Sequence, residues 1–358
     1  MEVDEAVRRM SLAKTYKDRH WVRAVKVTDN VVRKAPPEWL EELLSALLQV
    51  TAPTYPMCYG FAEALLRLAM VPGQVENVRR LAAEGLAWGE VRYGLAEVAE
   101  WLAIGQPREH LMAVFLNAQA SDELAACLLQ ETALRYDASA AEGYAQRLRA
   151  AGHPLAELPL RPTPAEHGLG LPCYRGPSEG GPPEGGPSGE RQSEADGIQV
   201  VATEIEWPEA PVALGVFQGW ETEAKLLRLE RPVAGDDFGA SLLRGLGLQS
   251  AASSFAGVRF AGVRFAGVRR VESGDVLRTL FRAAAGGGPY GPRIHGAYGR
   301  LAAWRSLGAL FGVQEKECLW LFYTSDWHLH VHPCMDIGIA ALRPDRRTVA
   351  ILAATNSD

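Results

Sequence analysis

The stretch Glu179-Gly-Gly-Pro-Pro-Glu-Gly-Gly-Pro187 lies within residues 162–197, where Gly and Pro fill 16 of 36 positions. A segment so poor in large apolar residues buries too little surface to offset the entropy of ordering it. It reads as a flexible, partly extended linker. It is also acidic, with six Asp/Glu against two Arg. The fold is decided by what changes across it, because the hydrophobic period differs on its two sides.

On the N-terminal side, residues 36–152 carry helical spacing. Pro36-Pro37-Glu38 suits a helix start, since Pro is tolerated in the first turn. Leu40, Leu43, Leu44, Leu47 and Leu48 then recur at i, i+3, i+4, i+7 and i+8. A second helix around Phe61, Leu65, Leu66 and Leu68 closes at Pro72-Gly73, and further helices are expected over Trp88–Ile104, Pro107–Ala118, Ser121–Arg135 and Ala138–Ala151. In the fifth of these, Ser121 is the expected N-cap and Leu124, Cys127, Leu128 and Leu134 the apolar stripe. Short helices with short connections predict an antiparallel helical array of HEAT-like character.

On the C-terminal side the pattern turns strand-like. Ile198–Trp207, Pro211–Trp220 and Thr222–Leu229 are rich in Val, Ile, Leu, Phe and Trp. Helices are expected from Asp236-Asp237 through Leu246, over Val276–Ala285 and over Ala297–Phe311. Cys318–Tyr323, Trp327–His332, Met335–Leu342 and Thr348–Ala354 then read as strands, with Arg343-Pro-Asp345 as a turn. The fold class is therefore α+β overall: a helical domain (1–161), a linker (162–197), and an α+β domain with a mainly antiparallel sheet (198–358). Phe-Ala-Gly-Val-Arg occurs three times without a break, at Phe255–Arg259, Phe260–Arg264 and Phe265–Arg269. A period of five matches neither strand nor helix, so a duplication tolerated in a surface loop is expected.

Composition narrows the function classes. Of 358 residues, 47% are apolar and 22% charged, which excludes disorder throughout and a coiled-coil rod. A net charge of −6 is too mild to demand a polyanionic partner for the whole chain. Arg8 and Arg9 are followed by Lys14, Lys17, Asp18 and Arg19, which interrupt any export segment, and no apolar run approaches a membrane span. Five scattered cysteines without a Cys-x-x-Cys pair suit a reducing compartment. The expectation is a cytoplasmic protein with no membrane partner.

Gly288-Pro-Tyr-Gly, Gly296-Ala-Tyr-Gly-Arg-Leu-Ala-Ala-Trp-Arg-Ser-Leu307, Asp326-Trp327, Met335-Asp-Ile-Gly-Ile-Ala340 and the ending Val349-Ala-Ile-Leu-Ala-Ala-Thr-Asn-Ser-Asp358 carry a resemblance. Over roughly residues 270–358 the chain resembles an uncharacterised bacterial family, the domain of unknown function numbered 6183. The resemblance implies no activity and no catalytic residues.

Three groups of residues carry candidate chemistry. His328-x-His330-x-His332, followed by Cys334 and Asp336, places three imidazoles on one face of an expected strand, as zinc or iron ligands require. Against it stands a half-exposed strand that simply carries histidine. Arg293, His295 and Arg300 lie near an expected helix N-terminus, where an anion is favoured. Gly286-Gly-Gly-Pro-Tyr-Gly291 has the G-x-G-x-x-G text but follows a helix, so it reads as a connecting loop. Residues 8–34 hold nine Lys/Arg against Asp18 and Asp29, with Tyr16, His20 and Trp21 between them. Such a run touches nucleic acid in some proteins and is a solvated face in more of them. No hydrolase, metalloprotease or kinase signature is present. The reading favoured is a non-enzymatic interaction or regulatory module with a protein partner and no cofactor. The alternatives are a metal-dependent enzyme built on His328, His330 and His332, and a nucleic-acid-associated factor.

Overall fold

The computed structural model describes residues 1–12, 22, 24, 26, 30–86, 94–164, 166, 200–248, 259–260, 263–264, 268–286, 294, 296–312, 317–323 and 333–357. The chain forms two compact units: Met1–Pro162 with Gly296–Tyr298, and Thr163–His295 with Gly299–Asp358. The first is helical, the second α+β.

The helical unit runs through Val3–Ser11, Pro37–Leu48, Tyr55–Ala69, Val75–Leu86, Leu95–Gly105, Arg108–Asn117, Glu123–Tyr136 and Glu142–Ala150. Proline opens the second helix at its first position, as the sequence leads one to expect. Asp122, not Ser121, caps Glu123–Tyr136, its carboxylate accepting from the Ala125 amide at 2.9 Å. The apolar stripe expected of that helix is too narrow, because every residue from Leu124 to Ala133 is buried. The helix is central to its unit. The helix expected over Trp88–Ile104 begins at Leu95, and residues 87–93 lie outside the described residues. Gly105 ends it where no side chain fits: a Cβ there would lie 2.6 Å from the Met70 Cα. Next to it, the buried Gln106 amide donates to the carbonyls of Ala69 (2.6 Å) and Val71 (2.7 Å) and accepts from the Gly73 amide (3.0 Å). One side chain thus satisfies the open C-terminus of Tyr55–Ala69.

The second unit is organised by six antiparallel strands: β1 (Ala202–Ile205), β2 (Glu221–Leu229), β5 (Val268–Val271), β6 (Leu319–Tyr323), β7 (Pro333–Leu342) and β8 (Thr348–Ser357). Their order in the sheet is β1-β2-β8-β7-β6-β5. A separate ribbon pairs β3 (Arg259–Phe260) with β4 (Val263–Arg264). The pentapeptide copies are therefore not a plain loop: the first two supply the ribbon, and Val268-Arg269 of the third opens β5. Pro211–Trp220 is a further correction. It forms a four-residue helix, Ala210–Ala213, and turns, because Pro208, Pro211, Gly215 and Gly219 break any strand register. Its Val216, Phe217 and Trp220 are buried all the same. The strand expected over Trp327–His332 lies outside the described residues, as does the linker from residue 167 to 199.

Alternation along the strands divides the core. Ile339, Ala341, Ala350, Leu352 and Ala354 join one cluster with Leu277, Leu280, Phe281, Leu307 and Leu310 of the helices Ser273–Gly286 and Gly296–Phe311. Ala340, Leu342, Val349, Ile351 and Ala353 face the other way, against Phe238, Leu242, Leu243 and Leu248. The β7–β8 turn is built by Asp345, whose carboxylate accepts from the Arg347 amide (2.9 Å), the Thr348 amide (2.8 Å) and the Thr348 hydroxyl (2.6 Å). Arg343 leaves the same turn and donates to the carbonyls of Ala309 (3.1 Å) and Leu310 (3.3 Å), placing a cation at a helix C-terminus.

Gly338 marks a close approach within the sheet, since a Cβ there would lie 2.5 Å from the Tyr323 carbonyl oxygen and 2.6 Å from its ring. Gly338→Ala is expected to destabilise the protein by about 1–3 kcal/mol. Urea unfolding of the purified variant checks this, and an unchanged midpoint would contradict the β6–β7 register.

Candidate functional site

Most of the residues singled out as ligands in the sequence fall outside the described set: His328, His330, His332, Arg293 and His295. Cys334 and Asp336 are placed in β7 by their backbone alone. Among the described residues, no group of three or more His, Cys, Asp or Glu side chains is placed to hold a metal ion. Part of the basic N-terminal run is described, and three of its arginines are paired with glutamates. Glu5 accepts from Arg8 (2.7 and 2.8 Å) and from Arg9 (2.6 Å), and Glu63 accepts from Arg33 at 3.2 Å.

Arg300 is described, and its surroundings are specific. It is 1% exposed on the helix Gly296–Phe311 and holds the carboxylate of Glu166 in a bidentate pair, Nε to Oε1 at 2.6 Å and Nη2 to Oε2 at 2.9 Å. The Trp304 indole donates to Oε1 at 2.9 Å, while the Thr163 amide (2.8 Å) and hydroxyl (3.1 Å) donate to Oε2. Burial acts to raise the Glu166 pKa, but the Arg300 and Thr163 hydrogen bonds outweigh it, and the carboxyl is held below its ordinary value. An anion at Arg300 would have to displace a carboxylate that already has five donor contacts. Glu166 was legible only as one of the linker's acids. Its local signal is Thr163-x-x-Glu166, the text of a capping box.

A second buried polar group lies in the helical unit. Glu123, Cys127, Glu131 and Arg135 are four residues apart, so they form one ridge along Glu123–Tyr136. Cys127 Sγ donates to Glu123 Oε1 at 3.4 Å, and His153 Nε2 is 3.1 Å from Glu123 Oε2. The Leu155 amide donates to His153 Nδ1 at 3.2 Å, which assigns the proton to Nε2. Burial, and then the Glu123 charge, push the Cys127 thiol up, which favours the neutral thiol. Further along, Arg135 Nη1 pairs with Glu131 Oε2. Glu100 faces this pair from the helix Leu95–Gly105 and is 2% exposed. Burial first, then the Glu131 charge, push its carboxyl up to about 7, with Glu97 adding to the shift and Arg135 opposing it. Glu100 Oε2 has no hydrogen-bond partner among the described residues, which favours the neutral acid. Helical spacing alone offered no signal for this pair, because Glu100 and Glu131 sit on different helices.

With this geometry in view, the comparison with known families is decisive in one respect. A model for a family of unknown function, DUF6183, matches residues 22–358. The chain belongs to DUF6183. The resemblance read over residues 270–358 was thus too short, since membership of DUF6183 takes in the helical unit from residue 22 onward. No curated protein and no solved structure matches the chain. Membership therefore assigns no chemistry to Glu100, Glu166 or Arg300.

Glu100 supplies a pH prediction. Its folded-state pKa lies above the ordinary 4.5, so the folded protein holds that proton more tightly than the unfolded chain does. The stability it contributes is complete below about pH 4.5 and is lost as pH rises through about 7. The loss is on the order of 3 kcal/mol. Glu100→Gln, which cannot ionise, should flatten that part of the stability profile and raise the urea midpoint at pH 8. A variant that is less stable than wild type at pH 8 would contradict this.

Proposed function

We propose that this member of DUF6183 is a non-enzymatic protein-interaction or regulatory module acting in the cytoplasm, with its helical unit as the docking surface. The supporting observation is where apolar side chains reach water. Leu116 is 76% exposed and Ile104 51% exposed, on consecutive helices. The approach of Gly105 to the Ala69–Met70 backbone brings Ile104 to the same helix end as the exposed Met70. Exposed Arg108, Glu109 and His110 lie between Ile104 and Leu116 along the chain, so the surface offered to a partner would combine apolar side chains with charged ones. Helical arrays use such surfaces for protein recognition. Cys58, Cys127 and Cys318 are buried free thiols, which suits a reducing compartment, and no helix among the described residues is long and apolar enough to cross a membrane.

The test is quantitative crosslinking in cells, comparing wild type with Leu116→Glu and Ile104→Glu. Each variant should retain its melting temperature and lose about tenfold or more of the crosslinks to one reproducible partner, as a disrupted interface anchor does. Variants that keep the same crosslinks would reject this surface. Metal analysis tests the zinc or iron alternative: stoichiometric metal that disappears in His330→Ala would replace the interaction reading with the enzymatic one. Salt-sensitive binding to DNA or RNA, lost on replacing the residue 8–34 cations, would favour the nucleic-acid reading.

A further inference from the structure

The two edges of the six-stranded sheet carry opposite charge. β1 ends the sheet on one side and β5 on the other, and among the described residues neither strand pairs with a second neighbour. Residues 201–209, which include β1, contain Glu204, Glu206 and Glu209 and no cation, and all three acids are exposed. From Phe238 to Val271 the chain holds five arginines, Arg244, Arg259, Arg264, Arg269 and Arg270, and no Asp or Glu. That run ends in β5, where Arg269 and Arg270 are both exposed. Arg269 stacks over the Phe322 ring at 5.0 Å, which fixes its cation at this edge.

Counter-charges lie beside both edges: exposed Glu272 directly follows β5, exposed Arg228 lies on β2 opposite Thr203, and one ion pair reaches each edge. Glu204 lies 3.9 Å from Lys225, and Arg270 lies 3.8 Å from Asp236. Both bridges are long and open to water, so they neutralise little. An unpaired strand presents a row of amide and carbonyl groups that another strand can complete. Two β5 edges would bring arginine against arginine, and two β1 edges glutamate against glutamate. Only the unlike pairing satisfies both the backbone and the charge, and the two strands have the same length of four residues.

We propose that copies of this chain associate edge to edge, the acidic β1 edge of one copy adding to the basic β5 edge of the next. The occupant of each edge is thus a second copy. Because the two surfaces differ, the contact is heterologous and leaves one edge open at each end. The proposal concerns the sheet edges alone and is independent of the helical surface assigned to a partner.

Sedimentation velocity on the full chain tests it, over about a hundredfold range of concentration at low salt and again at about 0.5 M salt. Average mass should rise with concentration at low salt and fall back toward the monomer at high salt. Arg270→Glu alone and Glu204→Arg alone should each stay monomeric. Mixing those two variants is the sharper test. The first retains an intact β1 edge and the second an intact β5 edge, and the two reversed edges are opposite in charge as well, so the mixture should associate where neither variant alone does. Circular dichroism melts establish that each variant folds, and Glu206→Arg replaces Glu204→Arg if the latter does not. Wild type that stays monomeric throughout, or a mixture that does not associate, would overturn the proposal.

Discussion

The structure of the second unit depends on a central strand pair that is buried on both faces. Along β7 and β8 the side chains alternate between two apolar clusters, with Ile339 and Ala341 on one side and Ala340 and Leu342 on the other. A pair covered twice cannot shift register by one residue without exchanging the occupants of both clusters. The remaining elements follow from that requirement. Two long helices cover one face, and a short helical segment around Leu242 and Leu243 covers the other. Asp345 and Gly338 set the turn and the close approach that such a pair needs.

Buried charge is organised differently in the two units. Glu166 is a carboxylate with its donors in place, so its ionised form is stabilised despite burial. Glu100 is a carboxyl beside a second carboxylate, and its ionised form is disfavoured. The contrast follows from partners alone, as both side chains are nearly without solvent contact. One pair joins segments 134 residues apart, and removing either member would leave the other charge buried without its main partner. The other is expected to make the stability of the helical unit depend on pH near neutrality.

The parts of the fold that were legible in the sequence are those that depend on period. The Leu40–Leu48 spacing and the apolar runs of β7 and β8 reflect burial patterns that any single segment displays. Pro211–Trp220 misled because its aromatic content comes from packing into the core from a turn, and propensity does not separate that from a strand. The Glu166–Arg300 pair and the Glu100–Glu131 pair were invisible for another reason. Each exists only through contacts distant along the chain, and no local spacing encodes them. The charge contrast between β1 and β5 was present in the sequence, but it acquires meaning only when the strand order puts both at edges.

Native-state hydrogen exchange on the full chain is the most direct measure of this account, because protection reports how each strand is covered. Amides of Ile339–Leu342 and Val349–Ala354 should be the most protected of the second unit. Those of Ala202–Ile205 and Val268–Val271, which among the described residues pair on one side only, should exchange orders of magnitude faster in the monomer. Edge strands as protected as β7 and β8 under monomeric conditions would contradict both the central role of that pair and the availability of the edges.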